Sequence, residues 1–182
     1  MAVRKKSRFQ PNEIYFITFT ILGWKSVFIN KKYCELVFKW FRYMEENYDN
    51  KIHGYVIMPN HIHLLLYISD KSPELSTLIF NAKRFLAYQI PKLLISDHKI
   101  GLAEFFKNSK VKPKAIHKVF EPRYDSLQIQ SRKFFVQKLN YIHNNPCRGR
   151  WRLVSCPEKY EYSSASNYVL GYGIFPVTLM DF

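Results

Sequence analysis

"YVIMPNHIHLLLYI", residues 55–68, decides how this chain folds. The run is apolar, β-branched and aromatic, and it is broken once, at Pro59-Asn60, by a pair that suits a tight turn. The reading is two strands, residues 51–58 and 61–68, closed into a hairpin. Proline presets the first corner and asparagine tolerates a left-handed second corner, which predicts a type II turn rather than the primed types. Inside the second strand stand His61 and His63. Strand residues two apart share a face. The imidazoles therefore project side by side, while Ile62, Leu64 and Leu66 point the other way into a core. Two nitrogens on one face can serve one metal ion if a third ligand comes from elsewhere. The alternative is a pair of hydrogen-bonded histidines on a half-exposed sheet face, and a bare His-x-His is too short to decide. His53 lies on the neighbouring strand. A one-residue slip of register would invert its face, and it reads as structural.

Outward from the hairpin, residues 14–20, "IYFITFT", alternate as a strand does. Residues 31–48 carry Leu36, Val37, Trp40, Phe41 and Met44 at helical spacing. Pro73-Glu74 opens a second helix with Leu75, Leu78, Ile79, Ala82, Phe85 and Leu86 on one side, and Pro91 is expected to end or kink it. Residues 96–116 read as a basic, irregular loop, and 117–130 as one or two short strands. Ser131 suits the N-cap of a third helix, "SRKFFVQKLNYIHNN", with Phe135, Leu139 and Ile142 inward. Pro146 is expected to close it, because a residue before proline avoids the helical region. The order strand, helix, strand, strand, helix, strand, helix predicts an α+β fold of ferredoxin-like layout, an antiparallel sheet with helices packed on it. Non-catalytic RNA-binding RRM domains share that layout.

The 182 residues suit a single domain, residues 1–182, with a C-terminal tail from about residue 152. Lys and Arg number 28 against 14 Asp and Glu, a net +14. Such a charge repels itself in a compact state and suits a polyanionic partner. The 15 Phe, 13 Tyr and 3 Trp could stack on bases. No segment approaches the roughly 20 apolar residues of a spanning helix, so no membrane partner is expected. The basic N-terminus lacks the apolar region of a secretory signal. Three cysteines without a C-x-x-C imply a reducing cytoplasm.

Near the end of the third helix, Tyr141 and Asn145 are four residues apart and share a face. A histidine-triad hydrolase would need a third histidine where Leu65 stands, and a nucleobase deaminase would need H-x-E with P-C-x-x-C. Neither pattern is present. "MPNHIHLLL", then "YIHNNP", then an "SSA" tail resembles the tyrosine transposases of single-strand insertion sequences, and within them the REP-associated branch. These are HUH enzymes, named for histidine, a bulky apolar residue, histidine. The likeness runs from "YFITFT" to "YSSASNY", and the two motifs together in this order are specific where either alone is weak.

The resemblance implies an HUH sandwich in which His61, His63 and Asn145 bind a divalent metal, Mg²⁺ or Mn²⁺, and Tyr141 is the nucleophile. It implies a transposase and endonuclease that cleaves and rejoins single-stranded DNA through a 5′-phosphotyrosine, without ATP. The expected partner is single-stranded DNA with hairpin structure, with a homodimer as one assembly and the bacterial cytoplasm, at the nucleoid, as location. A host-retained nuclease that processes repeats is a variant of the same reading. Two alternatives stand beside it: an RRM-like binding module, and a metal phosphodiesterase that uses water. Lys138, one turn before Tyr141, could favour the phenolate. With Lys83, Arg84 and Arg148 it is also a candidate phosphate contact, as are Arg150 and the N-terminal "RKKSR". Trp24 and Tyr168 could stack bases, though core packing is the commoner role for an aromatic ring.

Overall fold

In the computed structural model, which describes residues 9–109, 118–149 and 151–180, the hairpin forms as the alternation requires. β2 (Lys51–Met58) and β3 (His61–Ile68) pair antiparallel, with Met58 opposite His61 and Val56 opposite His63. β1 (Glu13–Thr20) pairs with the other edge of β3, and β4 (Asp125–Gln128) with β1, so the sheet order is β2-β3-β1-β4. The helix α1 (Lys31–Tyr48) links β1 to β2, and α2 (Leu75–Ser96) with α3 (Ile100–Asn108) links β3 to β4. This is the ferredoxin-like α+β layout. A further helix, α4 (Arg132–Asn144), and the short α5 (Ala165–Val169) follow β4.

Strand alternation divides the apolar residues between two cores. Tyr15, Ile17, Phe19, Ile62, Leu64 and Leu66 meet α1 and α2 in the larger. Phe16, Val56, Met58 and Leu65 meet Phe135, Leu139 and Ile142 of α4 in the smaller, on the opposite face. His61 and His63 share that second face, so α4 covers them. Ser131 caps α4 as expected, its hydroxyl accepting from the Phe134 N–H.

Several expectations are corrected. Asn60 does not enter the left-handed region, so the hairpin turn is not type II. The side chain of Asn60 is fully buried and engaged at both ends of its amide, and the carbonyls of Pro59 and Asn60 accept from the N–H groups of Val27, Phe28 and Ile21. The turn is shaped by these clamps and not by residue preference. Pro91 does not end α2, which continues to Ser96 with Ile90, Pro91 and Leu94 buried. Core burial there outweighs one missing backbone bond. Residues 100–108, expected to be irregular, form α3, seated by Ala103 and Phe106. Asn145, expected to leave the helical region before Pro146, keeps φ −56° and ψ −45° and opens a 3₁₀ turn, Asn145–Cys147. Proline lacks only an N–H that the first turn of a helix does not use.

The tail after Trp151 lines the outer edge of β2. Ser163 pairs with Val56, the Thr178 N–H donates to the Ile52 carbonyl, and Phe175 stacks on Phe38. An edge strand is thereby covered. Among the described residues no helix is long and apolar enough to cross a membrane.

Candidate active site

The two histidines are held by oxygens that settle which nitrogen faces outward. Thr18 lies opposite His63 across the β1–β3 ladder, and its Oγ1 is 2.7 Å from His63 Nδ1. On the other side of the ring, the Asn145 amide nitrogen is 3.3 Å from His63 Nε2. An amide N–H can only donate, so Nε2 accepts and Nδ1 carries the proton, which it gives to Thr18. His61 is fixed by a similar chain. The Asn60 Nδ2 donates to the Trp24 carbonyl at 3.2 Å, which leaves Oδ1 to accept from His61 Nδ1 at 2.6 Å. Both rings therefore use Nδ1 as a donor to an oxygen, which puts the lone pair of each ring on Nε2. Oxygen acceptors on the far nitrogen fix the tautomer and orientation of histidines that bind metals.

The rings stand 4.7 Å apart, centroid to centroid. Burial pushes His63 down to about 3, and the neighbouring His61 and Lys138 push the same way. A neutral imidazole keeps its lone pair for a cation.

The helix α4 brings the remaining groups. The Tyr141 ring lies 5.1 Å from that of His63 and 5.9 Å from that of Phe16, which itself stacks on His63 at 5.5 Å. Tyr141 is nevertheless 48% exposed and lines a surface cavity. The Lys138 ammonium sits over the Phe16 ring at 4.7 Å and 5.8 Å from the Tyr141 centroid. Asn145 keeps helical backbone, so its four-residue offset from Tyr141 holds and both point to the histidine face. Turning its amide by half a turn would present Oδ1 where Nδ2 now stands. Two imidazole nitrogens and an amide oxygen form a neutral donor set that suits Mn²⁺ or Mg²⁺. Among the described residues no group of three or more His, Cys, Asp or Glu makes a rival set.

Arg148 falls beside the site. With Gln137, Lys138, Asn140, Tyr141 and Asn144 it lines a cavity of about 350 Å³. Lys83 and Arg84 do not. Both are on α2, on the far side of the sheet. Lys83 donates to the Glu121 and Arg123 carbonyls, and burial lowers it to about 8. Its ammonium is turned onto the chain instead of being presented to a strand of DNA. Arg84 lines a separate cavity of about 390 Å³ with Trp40, Tyr43 and Phe85. Arg150 and the "RKKSR" segment lie outside the described residues. His53 is structural, as read: it is the extra residue of a β-bulge, and its Nδ1 meets the Thr178 carbonyl at 2.7 Å. Tyr168 is structural too, its hydroxyl donating to the His53 carbonyl. Sequence reasoning missed Thr18, Asn60 and Phe16. Alternation places Phe16 and Thr18 on one face of β1, but only the register of the ladder sets Thr18 against His63.

No family profile and no curated protein matches the chain. Among solved structures, a REP-associated tyrosine transposase bound to a REP hairpin matches 100% of this chain and 95% of its own, at TM-score 0.67 and 17% identity. The whole chain shares that fold. A chain from Deinococcus radiodurans R1 that carries a transposase designation matches 79% of this chain and 96% of its own, at TM-score 0.46 and 16% identity.

Proposed function

We propose that this chain is an HUH tyrosine transposase of the REP-associated kind, a strand transferase that cuts and rejoins single-stranded DNA. The observation that carries the reading is the meeting of Tyr141 with His63, 5.1 Å between rings, on the helix whose Asn145 amide touches the same imidazole. One chain supplies all four groups, so the reading needs no exchange of helices between two copies.

His61, His63 and Asn145 would hold Mg²⁺ or Mn²⁺. A divalent cation held there would supply Lewis-acid charge neutralisation to a scissile phosphate and its departing oxygen. The chain's own residues do the rest. The Tyr141 oxygen attacks phosphorus and gives up its proton to solvent. The bond from phosphorus to the 3′-oxygen breaks, and that oxygen leaves as a free 3′-OH. The phosphate stays on Tyr141 as a 5′-phosphotyrosine. Attack by a 3′-OH on this ester reverses the step and restores the phenol, so strands can be rejoined without ATP. Lys138 supplies positive charge beside the ring, its ammonium 5.8 Å from the Tyr141 centroid. Arg148 and Lys138 receive backbone phosphates at the mouth of the cavity. The partner is DNA with hairpin structure, handled at the bacterial nucleoid. The fold relative bound to a REP hairpin supports this choice.

The test is incubation with hairpin-bearing single-stranded DNA and Mn²⁺, followed by a denaturing gel. A covalent protein–DNA band that vanishes with chelator is expected. Cleavage without the band would replace the reading with a water-using phosphodiesterase. Binding that is indifferent to chelator, with no cleavage, would replace it with an RRM-like module.

A further inference from the structure

Trp24 is the exposed ring nearest in kind to a binding platform. Of the large apolar side chains beside the histidine face it is among the most open, at 58%. Its ring meets His61 edge to face at 6.2 Å. Single exposed apolar residues are ordinary, but the backbone beneath this one is not. Trp24 has φ 56°, and Gly23 before it φ 61°. A bulky residue rarely adopts the left-handed region, and it persists only where the surroundings impose it. Here they do. The Trp24 N–H donates to Ile21, the Gly23 N–H to Glu121 Oε1, and the Leu22 N–H to Val119. The Trp24 carbonyl accepts from Asn60, the residue that orients His61. The fold thus holds a costly conformation whose result is a flat aromatic ring left in solvent beside one metal-ligating histidine.

We infer that Trp24 stacks on one base of the single strand lying across the site, next to the phosphate at the His61–His63 pair. This rests on the proposed function and deepens it. The ring separation of 6.2 Å is within the reach of one nucleoside. Every base has a π-face, so stacking tolerates sequence and fixes where along the strand the reactive phosphate sits. Asn60 ties the two together: one amide holds the Trp24 backbone through its carbonyl and the His61 ring through Nδ1.

The test is equilibrium binding, by fluorescence anisotropy, of a DNA hairpin with short oligothymidylate flanks on both sides. A Tyr141→Phe background prevents cleavage. Trp24→Gly removes the ring while suiting the positive φ and keeping the carbonyl that Asn60 uses, and Trp24→Phe keeps a ring. An abasic residue is moved along the flanks one position at a time. Trp24→Gly should weaken binding about tenfold with an unchanged melting temperature, and Trp24→Phe should keep most of the affinity. One flank position should show a similar abasic loss in the parent, and the two losses should not add. Parental affinity in Trp24→Gly would overturn the inference. So would losses that add fully at every flank position, or a fall in melting temperature that Trp24→Phe does not restore. Failure of the adduct test with this cycle intact would sink the proposed chemistry alone.

Discussion

Tyr141 and Thr18 stand at opposite ends of legibility. The tyrosine stands in a motif that singles it out, and at 48% exposed it is replaceable at little cost to the fold. Tyr141→Phe should abolish the covalent DNA adduct while leaving hairpin affinity and melting temperature unchanged, as a denaturing gel and a thermal melt would check. Thr18 carried no signal in its own neighbourhood, since threonine is common in strands. Its role comes from lying opposite His63 at 2.7 Å. Thr18→Val keeps shape and removes the acceptor, so Nδ1 loses the partner that fixes the tautomer. Mn²⁺ affinity measured by calorimetry should fall roughly 10- to 100-fold, with folding retained. An unchanged affinity would mean that the ring is oriented by packing on Phe16 instead.

Among the elements, α4 is the one that makes the site, and its seat on the sheet is close. A Cβ at Gly54 would lie 2.7 Å from Leu139 Cδ1, so any larger residue where α4 crosses β2 makes the Leu139 side chain move. Gly54→Ala should cost about 1–3 kcal/mol by overpacking, seen as a lower denaturation midpoint. It should also slow adduct formation by lifting Tyr141 and Asn145 away from His63. The elements differ in how far they could be read. α1 and the two hairpin strands were legible to the residue, because long alternating or 3.6-residue patterns repeat their signal. α3 was hidden by its nine residues, its Gly101 and the basic stretch around it. Its Ala103 and Phe106 are buried only because α2 and the sheet are already there. The path of α2 through Pro91 was likewise decided by neighbours.

For the whole molecule, three of the buried histidines make stability depend on pH. Burial lowers His143 to about 4 and His63 to about 3, and lowers His53 as well. In the unfolded chain they titrate near the ordinary value of about 6.5. Below that pH the unfolded chain takes up protons that the folded one refuses, so stability is full above it and is lost as pH falls towards 4. Metal-free protein unfolded by denaturant at pH 7.5 and pH 5 should show the lower midpoint at pH 5. His143→Gln should narrow the difference, because one of the three groups is gone. The net charge of +14 has its own readout. Hairpin affinity should fall steeply and linearly on a logarithmic salt axis, and Arg148→Ala should reduce that slope by about one contact, whereas Lys83→Ala should leave it unchanged.

Local pattern alone settled much of this molecule. Periodicity specified the hairpin, the long helices and the layered α+β class, and the resemblance carried by two short motifs singled out His61, His63, Tyr141 and Asn145, which the fold brings together. Those features repeat within a few residues, so neighbours in sequence contain the information. The turn conformation, the oxygens of Thr18 and Asn60 that hold the two imidazoles, the inward commitment of Lys83 and the posture of Trp24 were decided by the tertiary structure. Each depends on groups brought together by sheet register and helix packing from distant parts of the chain, and no local pattern encodes which of them will meet.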